Sequence, residues 1–362
     1  MSKIILVGPD PAKVNQHSNP GGQLTAAIGL KKFLSIRSID LEIIDTLQVS
    51  FPLPTLIFRL NRGLGRFKSL VSLIKTKNYQ AVLLFTGAGY SFYERSLLCA
   101  VCRIYSFKSI MMIRDGHFKA MMESSYSQAL FIKFFLLFPR EIVVQGNSWK
   151  RLLVNHGVSE DKITVVRNWV SSDAEIADHS ITISRSLEIT FTFIGWVIRE
   201  KGIHELVEAI KRLRRKGYLF SVNVIGDGDL KDAVTSDIES SLGKDLVNFT
   251  GWLKKDQINE YLNKTHVLVL PSYAEGFPNV LLEAMSKGIP AIATSVGAIP
   301  DTVKNNVNGI LIESKSADSL EMAMESYIKN PNLIEIQSKQ ALLTIKREHD
   351  FDANLSNLLQ LL

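Results

Sequence analysis

The chain has 362 residues, 46% of them apolar and 22% charged, which excludes extensive disorder and favours two domains of about 180 residues. The net charge of +6 is uneven: residues 1–180 contain 22 Lys and Arg against 13 Asp and Glu, and residues 181–362 contain 20 against 23. No apolar run approaches the roughly 18 residues that span a bilayer, and the first one is too short for a signal peptide. We therefore expect a cytoplasmic protein whose basic half faces an anionic partner other than nucleic acid, because no nucleic-acid module is recognisable.

The first half of the chain alternates short apolar runs with segments of helical length, which predicts a parallel sheet covered by helices. Strands are predicted at 3–7, 81–85, 109–113, 141–145 and 163–166. A polar interval at 171–186 marks the predicted domain junction. The N-terminal domain is therefore assigned to residues 1–180.

The alternation then restarts and predicts a second domain over residues 181–345. Its strands are predicted at 189–194, 220–225, 247–250, 267–270, 291–294 and 309–312. Residues 346–362 are predicted to form a C-terminal helix that closes onto one domain. In open α/β sheets ligands bind beyond the carboxyl ends of the strands, so we expect the site there.

Residues 114–117 follow a first-domain strand and hold the acceptor-side candidates Arg114 and His117. Lone histidines are more often structural than catalytic, and that alternative stays open for His117. The segment 129–139 is rich in Phe and Leu, interrupted by lysine and followed by arginine. It is predicted either to lie in a membrane interface or to be a buried helix.

Two glycine-containing segments are phosphate candidates. Gly21 and Gly22 precede a helical run, where glycine lets the backbone approach a diphosphate, although a plain turn is an equal alternative. Residues 195–202 follow the first strand of the second domain and place Arg199 and Lys201 at the edge of its sheet. Lys201 would neutralise a leaving nucleoside diphosphate, and the alternative is a solvated loop lysine.

Glu275 and Glu283 bracket the predicted start of a helix, with Pro278 at the first helical position. Unpaired N–H groups at 279–281 would favour an anion such as a diphosphate. The carboxylates accept hydrogen bonds from hydroxyl groups, so one suits a sugar ring and the other a ribose. The alternative is that Glu275 caps the helix and Glu283 is a solvated charge.

Two further motifs have a favoured structural interpretation. Asp227-Gly-Asp229 resembles a metal-binding D-x-D, but a strand-to-helix turn with Asp229 as the helix cap is favoured. Cys99 and Cys102 have C-x-x-C spacing, yet no second ligand pair accompanies them. They are interpreted as small hydrophobes of a buried helix.

Taken together, these motifs resemble the retaining glycosyltransferases of family 4, within the glycosyl transferases group 1. The order and spacing match from near residue 20 to near residue 312, and the second-domain motifs are the specific ones. The resemblance implies an α/β, GT-B architecture, in which two Rossmann-like, doubly wound domains face a deep cleft. It also implies a nucleoside-diphosphate sugar as donor, retention of anomeric configuration, and neither a metal nor another cofactor.

The resemblance assigns roles to particular residues. Glu283 is expected to bind ribose hydroxyls and Glu275 the donor sugar, with Lys201 and Glu275 as catalytic residues. The full set of expected donor-binding residues is Gly21, Gly22, Arg199, Lys201, Gly251, Trp252, Glu275, Gly276, Phe277, Pro278, Asn279, Val280 and Glu283.

Two positions depart from the family pattern. Trp196 stands directly after Gly195, where the family usually has an arginine that binds the diphosphate. Arg114 lies nearer than His117 to the place where the family often has an acceptor-side histidine.

The expected function is hexosyl transfer to a lipid-linked or saccharide acceptor in surface polysaccharide, lipopolysaccharide or glycolipid biosynthesis. The basic first domain predicts peripheral association with the anionic inner face of the membrane. Two alternatives are a non-catalytic partner subunit with the same fold and a sugar-nucleotide epimerase. A Rossmann oxidoreductase is disfavoured because the chain lacks a strand-linked G-x-G-x-x-G segment.

Overall fold

The computed structural model describes residues 3–14, 21–47, 55–170, 176–178, 180–181, 188–243 and 246–362. The chain forms two compact units, called here unit 1 (Met1–Ser172 with Phe351–Leu362) and unit 2 (Asp173–Asp350). The predicted boundary after residue 180 therefore lies inside unit 2. The polar interval at 171–186 lies largely outside the described residues.

Unit 1 is built on a six-stranded parallel sheet. Its strands are β1 (Lys3–Gly8), β2 (Asp40–Asp45), β3 (Ala81–Thr86), β4 (Lys108–Ile113), β5 (Glu141–Val144) and β6 (Ile163–Val165). Their order is β2-β1-β3-β4-β5-β6, so the sheet is doubly wound from β1. Five of these strands match the predicted runs, and β2 is an additional edge strand.

Helices cover both faces of this sheet. They are α1 (Gly22–Ile36), α2 (Leu56–Lys75), α3 (Tyr90–Ile104), α4 (His117–Glu123), α5 (Tyr126–Phe135) and α6 (Asn147–Asn155). Every residue of β3 is buried, as expected for a central parallel strand that is covered on both sides. The helices therefore leave the strand ends as the accessible part of the sheet.

Unit 2 repeats this design with a second six-stranded parallel sheet. Its strands are β7 (Ile189–Ile194), β8 (Phe220–Ile225), β9 (Val247–Gly251), β10 (Val267–Leu270), β11 (Ala291–Thr294) and β12 (Gly309–Ile312). The order β12-β11-β10-β7-β8-β9 places β7 and β10 side by side at the centre. All six predicted strands of this unit are confirmed.

The helices of unit 2 pack onto this sheet through apolar stripes. They are α7 (Ile203–Arg215), α8 (Lys231–Leu242), α9 (Lys255–Leu262), α10 (Asn279–Ser286), α11 (Ile299–Thr302), α12 (Ala317–Lys329) and α13 (Asn332–Glu348). In α7 the buried residues Ile203, Leu206, Ile210 and Leu213 recur every three or four positions and form one face. The polar face of α7 remains outside the core.

The last helix, α14 (Phe351–Gln360), belongs to unit 1 although it follows unit 2 in the chain. Phe351 packs edge-to-face on Phe33 of α1, with ring centroids 5.9 Å apart. Leu355 and Leu358 are buried in the same core. The stretch 346–362 is therefore not one helix, because α13 extends to Glu348 before α14 begins.

None of the helices in the described ranges combines the length and the apolar character needed to cross a membrane.

Candidate active site

Unit 2 gathers most of the predicted donor-binding residues at one edge of its sheet. Residues 195–201, 251–252 and 271–278 lie at the carboxyl ends of β7, β9 and β10. Parallel strands end at the same edge, and this edge is where open α/β sheets bind ligands. It is called here the carboxyl edge of unit 2.

Lys201 and Glu275, the two predicted catalytic residues, form an ion pair at this edge. Lys201 Nζ lies 2.5 Å from Glu275 Oε1. The side chains are 26% and 12% exposed, so Lys201 is partly shielded yet still accessible. An ammonium group has three N–H donors, and Glu275 leaves the others for a further oxyanion. Lys201 is thus not a freely solvated loop lysine.

Close backbone contacts hold both partners of this pair. Gly202 has φ +74°, and a Cβ there would overlap the Pro271 carbonyl. Gly297 has φ +56°, and a Cβ there would overlap the Glu275 carbonyl. Because only glycine fits at these two positions, the loops that carry Lys201 and Glu275 are fixed by backbone approach.

The start of α10 differs by one residue from the prediction. Pro278 is the N-cap, and Asn279 is the first helical residue. Of the N–H groups predicted to be unpaired, that of Leu281 already donates to the Pro278 carbonyl at 3.1 Å. The side chain of Pro278 makes no capping hydrogen bond to this helix. Asn279 and Val280 occupy the first turn, where the helix dipole favours an anion.

The loop before α10 is anchored from the interior of unit 2. The Gly276 carbonyl accepts a hydrogen bond from the Ala298 N–H at 3.0 Å. Phe277 is buried, and its ring lies against that of His349 with centroids 5.5 Å apart. His349 is itself buried, and its Nε2 is 2.9 Å from Thr302 Oγ1. This loop, residues 271–278 and called here the donor loop, is therefore held in place by contacts with the interior of unit 2.

Glu283 lies on the second turn of α10 and is half-buried. Burial raises the pKa of its carboxyl, while nearby Lys255 lowers it. Glu283 is therefore not a solvated surface charge. A carboxylate shielded from water is suited to accept hydrogen bonds from ligand hydroxyls.

Two tryptophans form an aromatic pair at the same edge. Trp196 and Trp252 pack edge-to-face with ring centroids 4.8 Å apart. They remain 37% and 51% exposed, so packing covers only part of each ring. Gly251, before Trp252, has φ +73° and turns the chain at the end of β9. Of the two, Trp196 stands at the position where the resemblance implies an arginine.

Arg199 lies beside Tyr273 on the donor loop. The pKa of the Tyr273 hydroxyl is raised by burial and by Glu205, while Arg199 lowers it. Tyr273 Oη donates to Glu205 Oε1 at 2.7 Å. Arg199 is thereby placed at the carboxyl edge of unit 2, near the loop that carries Glu275.

The segment 226–228 is a packing turn. Additional Cβ atoms at Gly226 and Gly228 would overlap the carbonyls of Gly195 and Val197. Asp227 accepts from the Gly228 N–H at 2.8 Å within the turn. The predicted cap by Asp229 is wrong, because Leu230 occupies the N-cap position without a side-chain bond.

In the described ranges no three His, Cys, Asp or Glu residues are arranged to hold a metal, and the metal-free mechanism stays a prediction.

In unit 1, Gly21 and Gly22 lie at the start of α1, as predicted. Gly21 is the N-cap, and a Cβ added there would meet no atom within 4 Å. Both glycines are exposed. An anion can approach this helix start closely, and the diphosphate role stays a prediction.

Arg114, at the end of β4, occupies a more buried position than His117. Its Nη2 donates to Asn168 Oδ1 at 3.0 Å, and Nε and Nη1 have no hydrogen-bond partner among the described residues. Burial lowers the pKa of Arg114 to about 10. His117 is exposed and lies 3.1 Å from Asp115 Oδ1 through Nδ1. Of these two acceptor-side candidates, Arg114 is therefore the one with N–H donors left for a ligand.

Sequence reasoning missed two polar residues beside Arg114. Gln145 and Asn168 are buried, and Gln145 Nε2 donates to Asn168 Oδ1 at 2.9 Å. Gln145 Oε1 has no partner within the described part of the chain. The available signal was their position, since Gln145 ends one predicted strand of unit 1 and Asn168 lies just after the next.

The segment 129–139 is partly buried and partly exposed, and its contact with a membrane stays a prediction. Ile132 and Leu136 are buried, whereas Phe131 and Phe134 are each 53% exposed. One face of α5 therefore packs in unit 1, and the other presents aromatic rings.

Cys99 and Cys102 are fully buried in α3, as expected for small hydrophobes. Burial raises the pKa of both thiols, that of Cys102 to about 12. Neither thiol is poised for redox chemistry near neutral pH.

Comparison with known proteins finds one family model and several curated relatives that match this chain. Residues 177–343 match the model of the glycosyl transferases group 1. A 41.2 kDa protein from the cps region of Klebsiella pneumoniae is 26% identical over 75% of this chain and 77% of its own length. The amylovoran biosynthesis glycosyltransferase AmsK of Erwinia amylovora is 27% identical over 48% of this chain, which spans 43% of that protein.

Solved structures share the fold over essentially the whole chain. Sucrose-phosphate synthase from Thermosynechococcus elongatus has a TM-score of 0.78 at 18% identity, covering 100% of this chain and 98% of its own. The lipopolysaccharide outer core galactosyltransferase WaaB has a TM-score of 0.73 at 17% identity, with 99% of both chains covered. Anabaena HepE, in complex with UDP and glucose, has a TM-score of 0.72 at 14% identity, also with 99% of both chains covered.

The narrower assignment to the retaining family 4 stays a prediction. Over residues 177–343 the chain matches the glycosyl transferases group 1, and the chain has the GT-B fold.

Proposed function

We propose that this protein is a retaining glycosyltransferase that moves a hexose-type sugar from a nucleoside-diphosphate sugar to a lipid-linked or saccharide acceptor. The observation that carries the proposal is the Lys201–Glu275 ion pair beside the start of α10. The names of AmsK and WaaB support a role in surface polysaccharide or glycolipid biosynthesis. The complex of HepE with UDP and glucose supports a nucleotide-sugar donor.

The donor is bound through its three chemically distinct parts. The ribose hydroxyls donate to Glu283, and the sugar hydroxyls donate to Glu275. The diphosphate is bound by Lys201 and by the first turn of α10, because both present N–H donors and positive potential. Gly21 and Gly22 at the start of α1 supply a further surface that a diphosphate can approach.

Catalysis rests on stabilising the leaving group. As the bond from the sugar to the diphosphate breaks, negative charge grows on the departing oxygen, and the fixed Lys201 ammonium is placed to stabilise it. The acceptor hydroxyl attacks from the face that the diphosphate leaves and gives its proton to the departing diphosphate oxygen, which retains the configuration. Lys201 and the α10 start supply the positive charge, so the proposed reaction needs no metal.

Acceptor binding is assigned to unit 1. Arg114 has two unpartnered guanidinium nitrogens among the described residues, and Gln145 has an unpartnered oxygen. Such groups suit an acceptor that bears both an acidic group and a hydroxyl. His117 is the exposed neighbour that completes this side.

Unit 1 also binds the anionic inner face of the membrane through the exposed rings of α5. The Phe131→Ser/Phe134→Ser double variant is expected to lose binding to vesicles that contain phosphatidylglycerol in a sedimentation assay. The control is Ile336→Ser/Leu343→Ser in unit 2, where both side chains are 59% exposed. Equal loss in the two double variants would contradict a specific membrane surface.

The second candidate function is a non-catalytic partner subunit with the same fold. It is favoured by Trp196, which packs against Trp252 where the family pattern has an arginine. Such a protein would bind the donor weakly and never consume it.

The deciding experiment is to incubate the purified protein with UDP-, GDP-, ADP- and dTDP-hexoses and measure release of the nucleoside diphosphate. The assay is repeated with Lys201→Ala and with membrane lipids as the acceptor source. Release that depends on Lys201 supports the transferase. No release from any donor, combined with normal folding, would favour the partner subunit.

A further inference from the structure

Unit 1 contains a cluster of four arginines that the donor chemistry does not use. Arg59, Arg62 and Arg66 lie on α2, and Arg95 lies on α3. All four line one cavity, together with Phe58 and Tyr90. This cavity is called here the arginine groove.

The arginine groove carries more positive than negative charge. Arg66 Nε and Arg95 Nη1 bind the two oxygens of Glu94 at 2.6 Å and 2.5 Å, so one carboxylate serves two cations. Arg62 lies 3.4 Å from Asp45. Four guanidinium groups therefore face two carboxylates.

Arg59 has no carboxylate partner in the described ranges. Its guanidinium instead lies 5.0 Å from the centre of the Tyr90 ring, which holds it at the cavity. A stacked arginine keeps its N–H edge available for an oxyanion. Arg59 thus supplies unpaired charge at a defined place.

Arg95 gives a second, independent sign of a missing partner. It is 4% exposed, and its Nε has no hydrogen-bond partner in the described part of the chain. Burial lowers the pKa of Arg95, Glu94 raises it and Arg66 lowers it. A further anion in the groove would offset the excess positive charge beside this buried guanidinium.

The position of the groove in the fold suits a substrate. Asp45 ends β2, and α3 begins at Tyr90, four residues after the end of β3. The groove thus lies toward the carboxyl ends of the strands, where open α/β sheets bind ligands. An adjoining cavity of about 760 Å³ shares Arg62 and Arg66 and is also lined by Lys13 and Lys68.

We propose that the arginine groove binds a phosphate or diphosphate group of the acceptor. That the molecule carrying this group is the acceptor rests on the proposed function. That the groove binds an anion rests on the residues of the groove alone. Guanidinium forks match phosphate oxygens in pairs, and two uncompensated positive charges match a phosphate dianion. The group reaches the groove either on a lipid carrier or on a water-soluble phosphate.

The test is calorimetric titration of the full chain with inorganic pyrophosphate, in the presence of a saturating concentration of whichever nucleoside diphosphate the chain binds, so that the donor site is occupied. Arg59→Ala is expected to weaken binding about tenfold, and Arg59→Ala/Arg62→Ala about a hundredfold. The matched control is Arg140→Ala, an exposed arginine next to β5 at the opposite ends of the strands. The affinity for that nucleoside diphosphate should stay unchanged in all of these variants.

Farnesyl diphosphate and farnesol distinguish the two sources. Tighter binding of farnesyl diphosphate than of pyrophosphate, with farnesol silent, assigns the phosphate to a lipid carrier. Equal binding of farnesyl diphosphate and pyrophosphate assigns it to a soluble phosphate. If Arg140→Ala weakens pyrophosphate binding equally, or if the wild type does not bind pyrophosphate, the proposal that the groove binds a phosphate group is overturned. Arginine-dependent pyrophosphate binding without any turnover of sugar nucleotides would leave the groove intact and refute the transferase.

Discussion

The two units present the same structural edge, the carboxyl ends of six parallel strands, but the charges are paired in unit 2 and leave an excess of positive charge in unit 1. In unit 2 the cation Lys201 is paired with Glu275, and Glu283 has Lys255 nearby. In unit 1 four arginines share two carboxylates, and Arg114 keeps two nitrogens unpartnered among the described residues. An edge with paired charges suits a ligand with many hydroxyls and one diphosphate, whereas an edge with excess positive charge is stabilised by a bound anion.

The two edges also differ in how they are held. In unit 2 glycines bring loop backbones together, at Gly202 against Pro271 and at Gly297 against Glu275. In unit 1 long side chains cross between α2 and α3 and meet at Glu94. We therefore expect unit 2 to lose function through small backbone shifts and unit 1 to lose stability through charge removal.

The largest expected effect breaks the charge network of unit 1. Glu94→Ala leaves Arg66 and Arg95 without their shared carboxylate, and removal of one partner of a buried ion pair costs about 3–5 kcal/mol. The free energy of unfolding, measured by urea denaturation, should fall by that amount. Added pyrophosphate should restore part of the loss, because it replaces the missing anion. A loss below about 1 kcal/mol, the range of surface pairs, would contradict the buried network.

The next effect removes the paired cation of unit 2. Lys201→Ala is expected to lower kcat about a hundred- to a thousandfold, because one fixed donor to the leaving group is lost. Steady-state kinetics with the preferred donor measure this change. The control Lys264→Ala removes an exposed lysine before β10 and should change nothing. A rise in KM with unchanged kcat would show that Lys201 only binds the donor.

A smaller effect tests the backbone approach in unit 2. In Gly297→Ala the added Cβ pushes the Glu275 carbonyl, so nucleotide affinity should fall about ten- to a hundredfold. Gly217→Ala is the matched control, because Gly217 also has positive φ but an added Cβ meets no atom within 4 Å. Both variants have the backbone strain, and only the first has the overlap. Equal nucleotide affinity in the two would contradict a loop fixed by close approach.

The smallest effect is the pH dependence of nucleotide binding. Burial raises the pKa of Glu283, so its ionised form is lost at a higher pH than for an ordinary glutamate. Because the ionised form accepts the ribose hydroxyls, affinity should rise about tenfold as the pH increases through this pKa. Glu283→Gln should flatten the dependence of nucleotide affinity on pH. The control Glu239→Gln, at an exposed residue of α8, should leave that dependence unchanged. An unchanged profile in Glu283→Gln would remove Glu283 from the ribose site.

The same pKa shift affects stability in the opposite direction. A raised pKa means that the folded state binds the proton more tightly than the unfolded state, so the contribution of Glu283 to stability declines as the pH rises through it. Glu283→Gln should therefore raise Tm slightly at neutral pH while weakening nucleotide binding. A lower Tm for this variant would contradict a desolvated carboxylate.

The donor edge of unit 2 could be predicted because its residues are close in sequence. Residues 275–283 hold both glutamates and the helix start, and the strand before them is a continuous apolar run. The errors are local: Pro278 precedes the helix, and the Leu281 N–H is paired. Such details depend on the backbone angles at one residue, which sequence patterns do not specify.

The acceptor edge of unit 1 could not be predicted in the same way. Strand β2 escaped prediction because it lies at the sheet edge, where Asp40, Glu42 and Asp45 interrupt its apolar residues. Asn168 accepts hydrogen bonds from both Arg114 and Gln145 only because three separate strands end together. The arginine spacing on α2 was a helical signal, but Glu94 joins it from another helix.

The most direct test of the central claim, that unit 2 binds the donor nucleotide, is calorimetric titration with UDP, GDP, ADP and dTDP. We predict that one nucleotide binds clearly and that Glu283→Ala weakens its binding about tenfold or more. Glu239→Ala should leave the affinity unchanged. Absence of binding for all four, or equal affinity in Glu283→Ala and wild type, would contradict the donor site.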